Sequence, residues 1–476
     1  MAAPLILRIT TDQHSPFVAG YAGDPYIRTP NLDRLAASGT VFKNHYCANP
    51  VCVPGRYSMM TVLLPRELGT LGFWDVLPSN VSTYAGILAE AGYQTTCVGK
   101  MHFHGQDQMH GWRFRPYGDM ECLGRESMPD YDAAKDRFRE WRPLKIKMEE
   151  HGGYNPWMLK TARPGNDKFM LFDESVTREA ILHLKDYFTM AIAECYQGER
   201  PLLFEVSYKT PHCPYICPPE LFDYYMDVLP PPGKAKDENP PRDIRMRQQE
   251  DQPPDITLEM IRRSRAGYWG LVQWVDHQIG QVLSALEQLG LRDEATILYT
   301  SDHGEMAGER GLWQKSCFYE ESVRVPMILS GPGIPQGKVV TENPSHLDLL
   351  PTLCDLAEIP PPAGLRGESL IPLLTDRETG KPRAVFSEFF GYYAGGEQRN
   401  SMMVKRGSWK WIDYCDGHCE LFDLASDPDE QIDRANDPAC FCLREELRSL
   451  LAELPQPWQV NNPDWEMKYC PPSSPS

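Results

Sequence analysis

Asp12-Gln13 and Asp302-His303 place carboxylate, carboxamide and imidazole donors at two distant points of the chain, a set suited to a divalent cation. Between them lies Cys52-Val-Pro-Gly-Arg56, with Met60-Thr61 just beyond. Taken alone, a Cys-x-Pro-x-Arg run reads most simply as a buried structural cysteine, because free cysteine is among the most buried residue types. Its weight depends on its company. Lys100 and His102 in Gly99-Lys-Met-His102, His212 after an apolar run, and Lys315 in Gly311-Leu-Trp-Gln-Lys315 supply the basic side. One lysine is ordinarily solvated and one histidine ordinarily a satisfied core residue. Several such groups at strand ends instead suit an oxyanion pocket. The competing reading of Asp12 and Asp302 is turn formation or helix capping.

Such groups need rigid elements to deliver them. Leu5-Ile-Leu-Arg-Ile-Thr10 reads as a buried strand ending at Thr11-Asp12-Gln13-His14. Leu202 to Ser207 and Thr296 to Thr300 are further strand-like runs, followed at once by Lys209-Thr-Pro-His212 and Ser301-Asp-His-Gly304. A helix is expected from about Asn31 to Ser38, stopped by Gly39. A longer one, from about Ile261 to Leu289, carries Val272, Val275, Ile279, Val282, Leu283 and Leu286 on one face and ends at Gly290. The strand after it is then parallel to its neighbours, through a right-handed crossover. The fold class is α/β: a large, mostly parallel sheet flanked by helices, with ligands beyond the carboxyl ends of its strands.

From about Arg383 the texture changes. Val385 to Phe390, Ser401 to Arg406, Trp409 to Tyr414 and Glu420 to Leu424 are short strand-like runs, and Leu443 to Leu454 reads as a helix. A small C-terminal antiparallel sheet with one helix follows from this pattern. The expected organisation is a catalytic α/β domain over 1–380, a small α+β subdomain over 381–454 and a proline-rich tail over 455–476. Tyr117 to Asp167 and Pro230 to Pro254 look irregular, rich in proline and charge, and suit inserted loops over the active face.

With 476 residues the chain is long enough for two domains, and 41% hydrophobic content is ordinary for a globular enzyme. A net charge of −18 argues against a nucleic-acid partner while leaving room for an anionic substrate in a locally basic pocket. The start, Met1-Ala-Ala-Pro4, has neither the basic residues nor the apolar stretch of a signal peptide or membrane helix. A cytoplasmic protein without membrane association is expected, and the 14 cysteines leave a secreted mature form open. Cys415, His418, Cys419, Cys440 and Cys442 lack the two-residue knuckles of a zinc site. Reduced or disulfide-linked surface cysteines are the simpler reading.

The ordered blocks together resemble the type I sulfatases of the alkaline-phosphatase-like superfamily over nearly the whole chain. Besides Cys52-Val-Pro-Gly-Arg56 they are Thr29-Pro-Asn-Leu-Asp-Arg-Leu35, Gly99-Lys-Met-His102, Ser301-Asp-His-Gly-Glu305, Tyr319-Glu-Glu-Ser-Val-Arg-Val-Pro326 and Ser345-His-Leu-Asp-Leu-Leu-Pro351. Glu420-Leu-Phe-Asp-Leu424 with Asp427-Pro428 is similar to the family's small-domain hairpin. The resemblance implies hydrolysis of a small-molecule or saccharide sulfate ester. Cys52 would be converted to formylglycine by a formylglycine-generating or equivalent enzyme. Arg56 would hold the hydrated aldehyde, and Lys100 and Lys315 would grip the sulfate. His102 would assist breakdown of the covalent intermediate, and His212 would protonate the departing alcohol oxygen. Asp12, Gln13, Asp302, His303 and converted Cys52 would surround the cation, Ca2+ or Mn2+. A homo-oligomer is left open.

The chain also departs from the family pattern. Gln13 and His303 stand where many sulfatases have aspartate and asparagine, which shifts the donor set toward manganese. Val62 replaces a glycine common after the threonine of the extended signature, which bears on cysteine conversion. The Asp-Gln and Asp-His pairs are shared with phosphonate monoester hydrolases, so a phosphonate monoester or phosphodiester hydrolase is the alternative. The Lys100-x-His102 pair favours sulfate. Lys100 to Gly111 is similar to the matching stretch of choline sulfatases, with Trp112 or Trp141 as candidate walls of an ammonium cage. A third reading is an inactive binding protein on the same fold.

Overall fold

Leu5–Asp12 and Leu202–Pro211 are buried at every position, as parallel strands covered on both faces must be. They lie at the centre of the sheet in the computed structural model, which describes residues 5–73, 75–119, 154–192, 201–234, 236, 239–375, 383–392 and 398–455. Eight strands run in the order Lys338–Val340, Gly39–Phe42, Met327–Ser330, Ala295–Ser301, Leu5–Asp12, Leu202–Pro211, Gln94–Gly99 and Phe114–Gly118. Met327–Ser330 alone runs antiparallel to its neighbours. The sheet is therefore mostly parallel, as expected.

Register brings the strand ends level. Gly99 pairs with Ser207, Ser207 with Thr10, and Thr10 with Thr300. The residues that follow each of these emerge along one edge.

Alternation along Leu5–Asp12 sends Leu5, Leu7 and Ile9 to one face and Ile6 to the other. The first face meets the helix Leu258–Gln288, whose Val272, Val275, Ile279, Val282, Leu283 and Leu286 are all buried. Each such side chain contributes about 1.5–3 kcal/mol on burial, so packing rather than helix propensity fixes this element. The Thr257 side chain accepts from Met260 N and caps its start. The other face is covered by Tyr84, Ala85 and Leu88 of the helix Tyr84–Glu90.

A second, four-stranded antiparallel sheet comprises Ala384–Tyr392, Gln398–Arg406, Trp409–Asp413 and Cys419–Asp423, followed by the helix Phe441–Ala452. Buried ion pairs hold it to the rest. Lys410 Nζ lies 2.8 Å from Glu320 Oε1 and also contacts Glu430, and Arg66 pairs with Glu388. Removing one partner of such a pair costs about 3–5 kcal/mol, because the other charge is left buried.

The two segments expected to be irregular contain the helices Tyr154–Thr161 and Arg242–Asp251. Proline clusters flank the second helix without entering it, and Pro241 stands at its N-cap, where a missing N–H costs nothing. The expected boundary at 380/381, nearly all of the tail over 455–476, and Trp141 lie outside the described residues. All the described cysteines are free thiols, and among the described residues Cys415, Cys419, Cys440 and Cys442 form no metal-holding group. No described helix is long and apolar enough to cross a membrane.

Candidate active site

Cys52 opens the helix Cys52–Thr61, every residue of which is buried. Gly55 is required there, since a Cβ would stand 2.6 Å from the carbonyl oxygen of Asn49. Val62 caps the far end with φ 53° and ψ 30°, a left-handed conformation that glycine adopts freely and a β-branched residue does not. The site thus carries about 1–2 kcal/mol of backbone strain.

The Cys52 thiol sits 3.1 Å from His303 Nε2 and 3.8 Å from Asp12 Oδ1. Burial alone would push its pKa up, but Lys315, Lys100 and His303 outweigh burial and hold it well below the ordinary thiol value. Positive charge is therefore focused on the side-chain position of residue 52.

One donor atom each from Asp12, Cys52, Asp302 and His303 lies within 4.8 Å of all the others, and all four residues are buried. The His303 ring has its Nδ1 3.0 Å from the carbonyl of Gly304. With Nδ1 donating to that carbonyl, Nε2 faces Asp12 Oδ1 and Asp302 Oδ1, each 3.6 Å away, and Asp302 and Cys52 raise the ring's pKa against its burial. A cation shared with the two carboxylates would take the place of the Nε2 proton. Asp302 is oriented in turn by Gln13 N at 3.1 Å and its neighbour's His303 N at 2.9 Å.

Arg56 ties this group together from below. Its Nε donates to Asp302 Oδ2 at 2.7 Å and its Nη1 to Lys100 O at 2.8 Å and Ser207 Oγ at 2.9 Å. Nη2 stands 3.7 Å from Asp12 Oδ2 with no hydrogen-bond partner among the described residues.

Lys100 Nζ contacts Asp12 Oδ2, and Lys315 Nζ donates to Gln13 Oε1 at 2.5 Å and meets His212 Nε2 at 2.9 Å. Gly99 lets the chain turn out of its strand toward Lys100: φ is 106°, and a Cβ would lie 1.9 Å from Ser207 O. Burial, with Lys100, pulls the His102 pKa down to about 4. The ring is a neutral base at ordinary pH.

The polar residues expected at the site from the sequence, Asp12, Gln13, Cys52, Arg56, Lys100, His102, His212, Asp302, His303 and Lys315, thus adjoin one another beyond the level strand ends. Sequence reasoning assigned no role to the groups that hold them. Glu305 accepts from the Gln13 carboxamide, from Tyr215 at 3.1 Å, and from the amides of Ala307 and Gln314 at 2.8 and 2.6 Å. Its place in the Ser301 to Glu305 block was the available signal. Asp119 accepts from Met101 N at 2.9 Å and His102 N at 2.7 Å, and Asp173 accepts from Lys209 N and Thr210 N, each at 2.8 Å. No sequence pattern marked either aspartate. Trp112 is not a pocket wall: it is 3% exposed and packs edge-on to Tyr84 at 5.7 Å. Its large apolar surface is worth more in the core. Phe73 instead stands edge-on to His102 at 5.0 Å and is 38% exposed.

Comparison with known proteins follows the same lines. The sulfatase family profile matches residues 4–359, and that of the N-sulphoglucosamine sulphohydrolase C-terminal region matches 308–456. A choline-sulfatase of Rhizobium meliloti (strain 1021) is 33% identical over 446 residues, covering 91% of this chain and 83% of the relative. An arylsulfatase of Clostridium perfringens is 30% identical over 450 residues, covering 90% and 89%. Among solved structures, the phosphonate monoester hydrolase of Agrobacterium radiobacter superposes with a TM-score of 0.71 at 24% identity, covering 94% of this chain and 96% of that one.

Proposed function

The chain belongs to the sulfatase family and is a sulfuric ester hydrolase; from that premise we propose that its reaction centre is residue 52, a cysteine matured to formylglycine beside a divalent cation. The observation that carries this reading is the buried cluster in which donor atoms of Asp12, Cys52, Asp302 and His303 all lie within 4.8 Å of one another, with Lys100 on Asp12 and Lys315 on Gln13. Cationic groups so placed stabilise an oxyanion built on residue 52.

Asp12, Asp302, His303 and the matured residue 52 fit a divalent cation, with oxygen donors suited to Ca2+ and an imidazole that favours Mn2+; the Gln13 carboxamide, whose oxygen accepts from Lys315, would join them as the fifth ligand. When bound, the cation supplies Lewis-acid polarisation of the sulfate, and the hydrated aldehyde supplies one oxygen to attack sulfur and a second that lets sulfate leave. Conversion calls for a formylglycine-generating or equivalent enzyme.

The remaining roles belong to the chain's own side chains. Arg56, engaged by Asp302 and by Lys100 O, holds the attacking oxygen's charge with Nη2, which makes no hydrogen bond among the described residues. Lys100 and Lys315 grip the sulfate oxygens and hold the transferring group in line. His102, neutral above about pH 4, takes a proton from the hydrate as sulfate is expelled. His212 delivers a proton to the alcohol oxygen as the ester bond breaks.

The alcohol is that of a small molecule or a saccharide. Phe73 beside His102, and Phe169 at 5.9 Å edge-on to His212, are the aromatic surfaces next to the two histidines. The choline-sulfatase relative makes choline sulfate the first ester to assay.

The test is a panel of aryl, choline, glucosamine and galactose sulfates against a phosphonate monoester, using enzyme whose Cys52 conversion has been verified by mass spectrometry. Preferred turnover of one sulfate supports the reading. Faster turnover of the phosphonate, or none of any sulfate, overturns it.

A further inference from the structure

Lys315 is a flexible side chain that must hold its ammonium against both Gln13 and His212, and its own backbone lies in a turn of poor conformation. Gln314 and Ser316, on either side of it, have φ values of 61° and 73°, in the left-handed region that favours glycine. Each such residue costs about 1–3 kcal/mol and persists only where its surroundings over-determine it. Those surroundings are specific. Arg247 Nη1 donates to Lys315 O, and Nη2 donates to Trp313 O at 2.9 Å. Four residues on in the same helix, Asp251 Oδ2 accepts from Trp313 N at 2.8 Å and from Arg247 Nη2 at 3.3 Å. Asp251 Oδ1 accepts from Asn155 Nδ2 at 2.5 Å, and Asn155 Oδ1 in turn accepts from Gln314 Nε2. Arg247 and Asp251 are both buried.

We propose that Arg247, braced by Asp251, is a positioning residue for Lys315: a guanidinium fork that grips the carbonyls of Trp313 and Lys315 and thereby aims the Lys315 ammonium at the sulfate. The fork geometry is the reason for arginine. A planar guanidinium can serve two carbonyls at once, whereas a lysine ammonium at 247 reaches one. Arg247 acts through backbone and not on the reacting atoms, so the catalytic effect proposed for it passes through the Lys315 side chain. The inference rests on the anion-binding role of Lys315 given above.

The test is a double-mutant cycle. Arg247→Met, Arg247→Lys and Asp251→Asn are made in the wild-type and Lys315→Ala backgrounds. Each is assayed for kcat and KM on the preferred sulfate ester, for inhibition by inorganic sulfate, and for thermal stability. In the wild-type background Arg247→Met is expected to lower kcat/KM about 10- to 100-fold, the scale of a small misplacement, with sulfate inhibition weakened in parallel. Arg247→Lys should recover part of the loss. In the Lys315→Ala background, Arg247→Met should change kcat/KM by less than about threefold, because coupled residues fail to add. A full additional loss in that background, or unchanged kcat/KM in folded Arg247→Met, overturns the proposal. Where Arg247→Met does not fold, Arg247→Lys and Asp251→Asn complete the same cycle. Near-normal activity of Lys315→Ala itself would instead remove the Lys315 role on which the inference rests.

Discussion

Lys315 Nζ and His212 Nε2 stand 2.9 Å apart, too close for an ammonium and an imidazolium to face one another with both protons in place. Burial and Lys315 pull the His212 pKa down, while Cys213 and Asp12 push it up, to about 10. Lys315 is raised too, by Cys52 and Asp12 acting against burial. At this contact one nitrogen donates to the other, and the groups that raise both residues keep that proton in place through neutral pH. A proton held at that point suits an acid for the leaving oxygen.

From this pairing, His212→Ala should lower kcat for an alkyl sulfate by about 10²–10⁴-fold, the usual contribution of a general acid. A nitrophenyl sulfate, whose phenolate departs without a proton, should lose far less. Steady-state kinetics on both esters gives the answer. Equal losses would assign His212 to binding instead of protonation.

Cys52→Ala should abolish turnover and leave the fold in place, at a cost of about 1 kcal/mol for the lost buried sulfur. A thermal melt beside the activity assay separates the two effects. In active enzyme, peptide mass spectrometry should find an aldehyde at residue 52 in place of the thiol. Full activity from an unconverted thiol would remove formylglycine from the mechanism.

Chelation should inactivate the enzyme, and added Mn2+ or Ca2+ should restore it. Because an imidazole favours the transition metal and a carboxamide oxygen favours calcium, His303→Asn should move the preference toward Ca2+. Reactivation of stripped enzyme by each ion, in wild type and variant, measures the shift. An identical ion preference in both would exclude His303 as a ligand.

His45 and His346, with ring centroids 5.4 Å apart, are both fully buried. Burial holds His346 down at about 3 and His45 well below the ordinary value of 6.5. The unfolded chain takes up protons that these rings refuse, so their contribution to stability is complete above pH 6.5 and is lost as pH falls toward 3. The slope is about 1.4 kcal/mol per pH unit for each histidine. His346→Gln, which keeps a donor for the Ser301 carbonyl at 3.0 Å, should therefore flatten the fall in Tm between pH 6.5 and 4. An unchanged slope would place the acid sensitivity elsewhere.

Much of the site is legible along the chain because each chemical group follows directly on an apolar run. Leu5 to Ile9 and Thr296 to Thr300 announce buried strands, and the polar residues after them can only emerge at the strand ends. The long helix before Ala295 makes that strand parallel, which puts Asp302 on the same edge as Asp12. The small antiparallel sheet is likewise visible, since its strands are short and punctuated by turns. The helix Arg242–Asp251 is hidden, because flanking prolines mask a polar segment whose only apolar anchor is Ile244.

By itself the amino-acid sequence determined the fold class, the strand ends and the residue types gathered there, since apolar runs, turn residues and donor chemistry are all local properties of the chain. Tertiary structure alone decided how those groups are held. Glu305 on Gln13, Asp119 on His102, Arg247 on Lys315 and the retreat of Trp112 into the core depend on strand order, register and helix packing. Hydrogen bonds of about 3 Å leave no periodic trace when their partners are from 17 to 292 residues apart in sequence. Val62 marks the boundary between the two kinds of information: its departure from glycine is visible in the chain, but only its left-handed backbone at the helix end shows why a glycine belongs there.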